Sequence, residues 1–242
     1  MKMKISDLKR YISDILLPNR CPSCSKLIVW NKLMCDKCRE KLRVISAELC
    51  PVCGKRNCKP HNELEFDNSI SLFYFDDCKD AIYSLKYHKG INFARYCAPL
   101  FEQELKKRGL DSKADLVTCV PMSRKKRRRR GYNQAQIVAQ CVAEQIGKPF
   151  DNSLLLHSDD LTEHHYLKGS QRKENAEKSF FAKQGHSDIK GKNVLLCDDV
   201  YTSGATMNIC AKCLKQLGAN SVTAVSIANS EKNTDKTSSA AP

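Results

Sequence analysis

With 242 residues, 41% of them apolar, the chain has room for one α/β domain and a small extra module. Its 41 Lys and Arg outnumber 27 Asp and Glu, and the resulting charge of +14 favours anionic partners: nucleic acid, phosphorylated ligands or anionic lipid. No apolar run approaches the ~18 residues of a bilayer span, and Asp7 and Asp14 interrupt the stretch where a signal peptide needs an apolar core. The fourteen cysteines are therefore expected as reduced thiols, many of them binding metal, in a cytosol.

Ile5, Leu8, Ile12, Ile15 and Leu16 lie near helical spacing and stop before Pro18, which predicts a helix packed on the module that follows. Cys21-Pro-Ser-Cys24 and Cys35-Asp-Lys-Cys38 form two C-x-x-C knuckles; Cys50-Pro-Val-Cys53 and Cys58-Lys-Pro-His61 form two more. Each knuckle presents two ligand atoms on one side of a tight turn, and two knuckles complete a tetrahedron. Four protein ligands leave no open position for water, so one or two structural Zn2+ ions are expected. Pairing of adjacent knuckles and crossed pairing both remain open at this stage. A redox C-x-x-C would stand alone at a helix start. Residues 1–65 are thus expected to be a helix plus a zinc-ribbon domain.

From Phe66 the composition changes, and residues 66–229 are expected to form an α/β domain. Strands are predicted over 70–75, 115–120, 150–156 and 221–228, and helices over 77–85, 91–108, 135–146 and 207–217. The run Arg124, Lys125, Lys126, Arg127, Arg128, Arg129 and Arg130 falls in a loop predicted over 122–134, after a core strand. Such a run is ordinarily solvated and mobile. Guanidinium groups pair with phosphate oxygens in a bidentate fork, and seven cations exceed what one pyrophosphate needs. The surplus suits a nucleic-acid backbone, with Lys125, Lys126, Arg127 and Arg128 as contacts and Tyr132 as a stacking partner. Cys78, Cys97, Cys119, Cys141, Cys197, Cys210 and Cys213 are expected to be packing thiols. Residues 230–242 are polar and aperiodic, which predicts a disordered tail.

The segment 194–206 organises the domain: Val-Leu-Leu-Cys-Asp198-Asp199-Val-Tyr-Thr202-Ser203-Gly204-Ala205-Thr206. Four apolar residues predict a buried strand, two carboxylates follow at its end, and a polar loop turning on Gly204 opens a helix. Backbone N–H groups at a helix start attract a phosphate. The hydroxyls of Thr202, Ser203 and Thr206 add donors, and the carboxylates suit sugar hydroxyls or a metal. A phosphate beside a diol describes ribose 5-phosphate. Neither G-x-x-x-x-G-K-[ST] nor G-x-G-x-x-G occurs.

At these residues the chain resembles the type I phosphoribosyltransferases, and within them the ComF-type competence proteins. Arg130-Gly-Tyr-Asn-Gln-Ala135 matches the family's Arg-Gly-Phe-Asn-Gln segment. Leu85-Lys86-Tyr87-His88-Lys89-Gly90 matches its Leu-Lys-Tyr/Phe-x-Gly element with one extra residue, and Arg172, Asn175, Ser179 and Phe180 match its mobile-loop pattern. Leu161 and His164 stand where the family has Thr and Gln, and His61 where it more often has cysteine. The resemblance implies a mostly parallel sheet flanked by helices, preceded by a double zinc ribbon. It implies 5-phosphoribosyl 1-pyrophosphate with Mg2+ as ligand, with Asp198 and Asp199 at the reaction centre, and Thr202, Ser203, Gly204, Ala205, Thr206, Arg130 and Lys86 as binding residues. It implies handling of single-stranded DNA in natural transformation, alongside a DNA-uptake helicase or other competence proteins. The location expected is cytoplasmic, at the inner face of the membrane through such partners. Two other readings stand beside it: a nucleic-acid-binding module with a non-catalytic sensor pocket, and a purine or pyrimidine salvage enzyme. Turnover does not follow from the fold.

Overall fold

Apolar strands of this kind need a partner on each face, and the chain supplies helices for both. The computed structural model describes residues 18–45, 49–56, 58, 61, 63–87, 90–158, 179–183 and 189–231. The expected N-terminal helix, the histidines at 164 and 165, Arg172, Asn175 and residues 232–242 lie outside the described residues. The elements run α1 (Asp36–Arg39), β1 (Asn68–Tyr74), α2 (Phe75–Tyr87), α3 (Ile91–Lys107), β2 (Leu116–Cys119), α4 (Arg124–Arg130) and α5 (Gln134–Ile146). They continue through β3 (Leu155–His157), β4 (Phe180–Ala182), β5 (Asn193–Tyr201), α6 (Ala205–Gln216) and β6 (Ser221–Asn229).

Four strands form a parallel sheet in the order β1-β6-β5-β2. Parallel strands covered on both faces read as continuous apolar runs, and Val194, Leu195, Leu196 and Cys197 of β5 are all buried. In α3, Phe93, Ala94, Cys97, Ala98, Phe101 and Leu105 recur every three or four residues and are buried together. Each such Phe or Leu contributes about 1.5–3 kcal/mol by leaving water. Pro99 lies inside α3 without ending it, because that buried stripe holds the helix to the sheet on either side of the break.

Two expectations change. The predicted strand over 150–156 divides between two sheets. Phe150 makes an isolated parallel bridge to Val117 beside β2, whereas β3 pairs antiparallel with β4. The chain bends between them, where Ser153 N–H donates to Asp151 Oδ1 at 2.8 Å. The predicted loop over 122–134 instead contains α4, whose seven residues are all cationic. Ser123 caps it from below, and Gly131, at φ +80°, ends it in the left-handed conformation. Caps at both ends hold a helix that charge repulsion alone would melt.

The described residues before β1 lie against this sheet at two points. Ile45 N–H donates to Leu72 O at 2.7 Å, and Ser69 N–H to Pro51 O at 2.8 Å.

Candidate functional site

The ligand-binding end of an open parallel sheet lies outside the carboxyl ends of its strands, where neighbouring strands lead away in opposite directions. Here that point falls between β5 and β2, which pair from Leu116↔Val194 to Cys119↔Cys197. From β5 the chain passes through α6 to β6 on one side. From β2 it passes through α4 and α5 to Phe150 on the other.

The carboxylates do not follow β5 but lie within it, since β6 continues alongside as far as Asn229, opposite Tyr201. Asp198 and Asp199 are half-buried, and Asp199 N–H donates to Asp198 Oδ1 at 2.8 Å. Burial first, then the charge of Asp199, pushes the Asp198 carboxyl well above the usual carboxylate range. Lys86, near the end of α2, places Nζ 3.1 Å from Asp199 Oδ2, an atom that is otherwise buried without a hydrogen bond. Two adjacent carboxylates, one of them already facing the Lys86 ammonium, attract cations, and this oxygen-donor set fits Mg2+.

Thr202 and Ser203 are exposed, as are Ala205 and Thr206, where α6 begins. Gly204 is buried at the N-cap with φ +82°, a conformation glycine adopts without the Cβ penalty. The loop thus places exposed hydroxyl-bearing residues and a helix start just past the carboxylates, with Ala205 N–H donating to Ser203 Oγ at 3.3 Å, the residue types a phosphate site uses.

On the β2 side, residues 124–129 are exposed. Arg130 turns inward: its NH1 donates to Gln134 Oε1 at 2.8 Å and its guanidinium sits 5.4 Å from the Tyr87 ring centre. Tyr132 is half-buried, and its hydroxyl donates to Leu85 O at 2.5 Å. With Gln134 Nε2 donating to Lys86 O at 3.4 Å, this turn fastens α5 to the end of α2 that carries Lys86. Arg127, Asn133, Gln136 and Leu155 line a cavity of about 300 Å³ beside the end of β2. The expected mobile loop, 161–180, falls between β3 and β4; residues 159–178 lie outside the described residues, and Phe180 of that loop opens β4.

The metal-ligand candidates form two clusters: Cys21, Cys24, Cys35 and Cys38, and Cys50, Cys53, Cys58 and His61. Within each, the ligand atoms lie within 4.8 Å of one another, so adjacent knuckles pair and the crossed arrangement does not occur. Zn–S bonds of about 2.3 Å at tetrahedral angles put sulfurs about 3.8 Å apart; Cys24 and Cys35 Sγ are 3.7 Å apart. Cys50 Sγ lies 3.3 Å from His61 Nε2. The first and third knuckles turn alike: Ser25 N–H donates to Cys21 O and Gly54 N–H to Cys50 O, each at 2.9 Å. Both turning residues are left-handed, at φ +59° and +68°. Burial opposes ionisation of Cys21, yet backbone N–H groups of Cys35, Cys24 and Ser23 bring its thiol down to about 7. Burial raises Cys38 to about 12 and Cys53 to about 11, so the thiols differ in their readiness to ionise, and it is the convergence of four ligand atoms that fits zinc at both clusters. The other seven cysteines are buried, and burial pushes Cys78 and Cys119 up to about 12, as inert packing thiols require.

A phosphoribosyl transferase domain model matches residues 87–241, and a double zinc ribbon domain model matches residues 12–79. The chain belongs to the phosphoribosyl transferase domain family. The ribbon match and the two ligand clusters support structural zinc. Competence protein ComFC of Bacillus subtilis (strain 168) is 26% identical over 203 residues, 76% of this chain and 79% of that protein. The DNA utilization protein YhgH of Salmonella typhimurium is 25% identical over 202 residues, 78% of this chain and 87% of that protein. Among solved structures, an adenine phosphoribosyltransferase from Thermoanaerobacter pseudethanolicus is similar at a TM-score of 0.39 and 16% identity, covering 80% of this chain and 98% of that one. Among the described residues of this family member, no helix is long and apolar enough to cross a membrane.

Sequence reasoning did not find Tyr201, whose buried hydroxyl donates to Cys53 O at 2.7 Å, or Asn229, whose Nδ2 donates to Gly54 O at 2.9 Å. No local pattern marks a bond between residues so far apart in the chain.

Proposed function

We propose that residues 66–229 bind 5-phosphoribosyl 1-pyrophosphate with Mg2+, that α4 binds single-stranded DNA, and that the protein acts in DNA uptake. The observation that carries the reading is one strand end. Asp198 and Asp199 stand near the end of β5, ahead of an exposed hydroxyl-bearing loop that opens α6. The loop residues 202–206 hold the 5-phosphate, and the carboxylates orient the ribose hydroxyls. Lys86 balances Asp199 until a ligand arrives. The exposed cations of α4, over the adjacent strand end, face the pyrophosphate and leave charge over for a nucleic-acid backbone. Mg2+, when bound, adds positive charge against the pyrophosphate leaving group. Residues 1–65 serve as the metal-braced module beside this site. The competence and DNA-utilization names of the relatives agree with a role in DNA uptake, for which we place the protein in the cytoplasm, with uptake partners at the membrane.

The test is calorimetry of 5-phosphoribosyl 1-pyrophosphate with Mg2+ against wild type and Asp198→Asn/Asp199→Asn. Each charge-assisted hydrogen bond contributes about 1.5–3 kcal/mol, so the double variant should bind well over tenfold more weakly while keeping its fold. Equal affinities would place the ligand elsewhere. Pyrophosphate release on adding candidate bases or DNA would distinguish a transferase from a sensor.

A further inference from the structure

We infer that Tyr201 is a positioning residue through which the second metal cluster holds the loop at residues 202–206 in place. The inference rests on the proposed anion-binding role of that loop for its functional meaning, but its geometry is independent of the ligand.

Tyr201 closes β5 and is 2% exposed. Its hydroxyl donates to the carbonyl of Cys53 at 2.7 Å, and Cys53 is a ligand-bearing residue of the Cys50–His61 cluster. Residues 51–54 are fixed to the sheet at two further points. Asn229, which faces Tyr201 in the β5–β6 register, donates from Nδ2 to Gly54 O at 2.9 Å. Ser69 N–H of β1 donates to Pro51 O at 2.8 Å. The metal knuckle therefore lies against the start of β1 and the last residues of β6 and β5.

The same hydroxyl end of the ring also touches the loop. A Cβ on Gly204 would collide with the Tyr201 hydroxyl and lie 2.8 Å from Cζ and 3.2 Å from Cε2. Gly204 is the N-cap of α6, and its carbonyl accepts from Asn208 N–H at 2.8 Å. Phe66 meets the Tyr201 ring edge-on, with centroids 6.3 Å apart. The ring is thus confined between Phe66, the Cys53 carbonyl and the Gly204 backbone. Displacing the 51–54 turn releases the hydroxyl, and the ring then no longer defines where Gly204 and the amides after it sit. With its proton given to Cys53, the hydroxyl is not a donor for an anion at the loop, which separates Tyr201 from the ligand-contacting residues. Metal-bound knuckles fold with their metal, so loss of metal at Cys50–His61 loosens the turn. By linkage, an anion held by the loop must in turn raise the affinity of the Cys50–His61 site for metal.

The experiment is hydrogen exchange on the full-length zinc-loaded protein, comparing wild type, Tyr201→Phe, Cys58→Ser and the double variant. Tyr201→Phe keeps the ring and removes one neutral hydrogen bond, so amides at Gly54 and residues 203–206 should exchange about three- to tenfold faster. Amides of Leu195, Leu196 and Cys197 should not change, which reports that the fold is intact. Cys58→Ser should accelerate the loop amides in the wild type but add little in the Tyr201→Phe background, since both act through the same bond. Unchanged loop exchange in Tyr201→Phe, or equal effects of Cys58→Ser in both backgrounds, would overturn the inference. A second arm titrates zinc at equilibrium against a competing chromophoric chelator, with and without 5-phosphoribosyl 1-pyrophosphate and Mg2+. The ligand should raise zinc affinity about three- to tenfold in wild type and not in Tyr201→Phe. Binding without any effect on zinc affinity overturns the link, whereas linked exchange without ligand binding overturns the proposed ligand and supports the link between knuckle and loop.

Discussion

Replacing Gly204 by Ala tests the geometry of the candidate site without touching a charge. The residue stands at φ +82°, where an L side chain costs about 1–2 kcal/mol. The new methyl group would also meet the Tyr201 ring, with Cζ at 2.8 Å. The ring must move, and the hydroxyl bond to Cys53 O, 2.7 Å long and worth about 1 kcal/mol, is lost. Together these predict a destabilisation of about 2–3 kcal/mol. At about 2–4 °C per kcal/mol for a chain of this size, the melting temperature should fall by about 4–12 °C. Gly109→Ala is the control: its φ is +62°, but a Cβ there has nothing within 4 Å. It shares the backbone strain and the unfolded-state entropy change and lacks the collision. Thermal unfolding of both variants by circular dichroism isolates the steric part. If Gly204→Ala melts no lower than Gly109→Ala, the Tyr201–Gly204 packing does not constrain the loop.

Elemental analysis of chelator-washed protein should give close to two zinc ions per chain; one would retract the Cys50–His61 site, and none would remove the ribbon assignment. Because burial and the Asp199 charge raise the Asp198 carboxyl, the native chain keeps that proton to higher pH than the unfolded chain. Stability should therefore be greatest on the acid side and fall as pH rises from about 4 through the raised native value. Asp198→Asn should abolish that fall, and parallel urea midpoints for both proteins between about pH 5 and about pH 8 would contradict it. Single-stranded DNA binding, followed by anisotropy across a salt series, should give a log–log slope near −3 if roughly four α4 cations meet phosphates at ~0.7 each. Ala at Lys125, Lys126, Arg127 and Arg128 should flatten that slope, and an unchanged slope would move the DNA site elsewhere.

By itself the sequence determined whatever depends on near neighbours in the chain. The C-x-x-C spacing names the ligands, since a tight turn needs only local residues. The apolar run 194–197 marks the buried strand and the Gly-containing loop the helix start, since strand burial and helix capping are local as well, although the strand runs on through the carboxylates to Tyr201. Tertiary structure decided what depends on residues far apart. It paired Cys21 with Cys38 and Cys50 with His61 in separate clusters, because four ligand atoms converge only when two turns meet. It set Lys86 against Asp199, because α2 ends beside β5. It made a capped helix of residues 124–130, where charge counting predicts a mobile run, because a cap at each end offsets repulsion that water already screens. And it carried the Tyr201 hydroxyl to Cys53, because the metal knuckle lies against the last residues of β5, where a buried hydroxyl must find an acceptor.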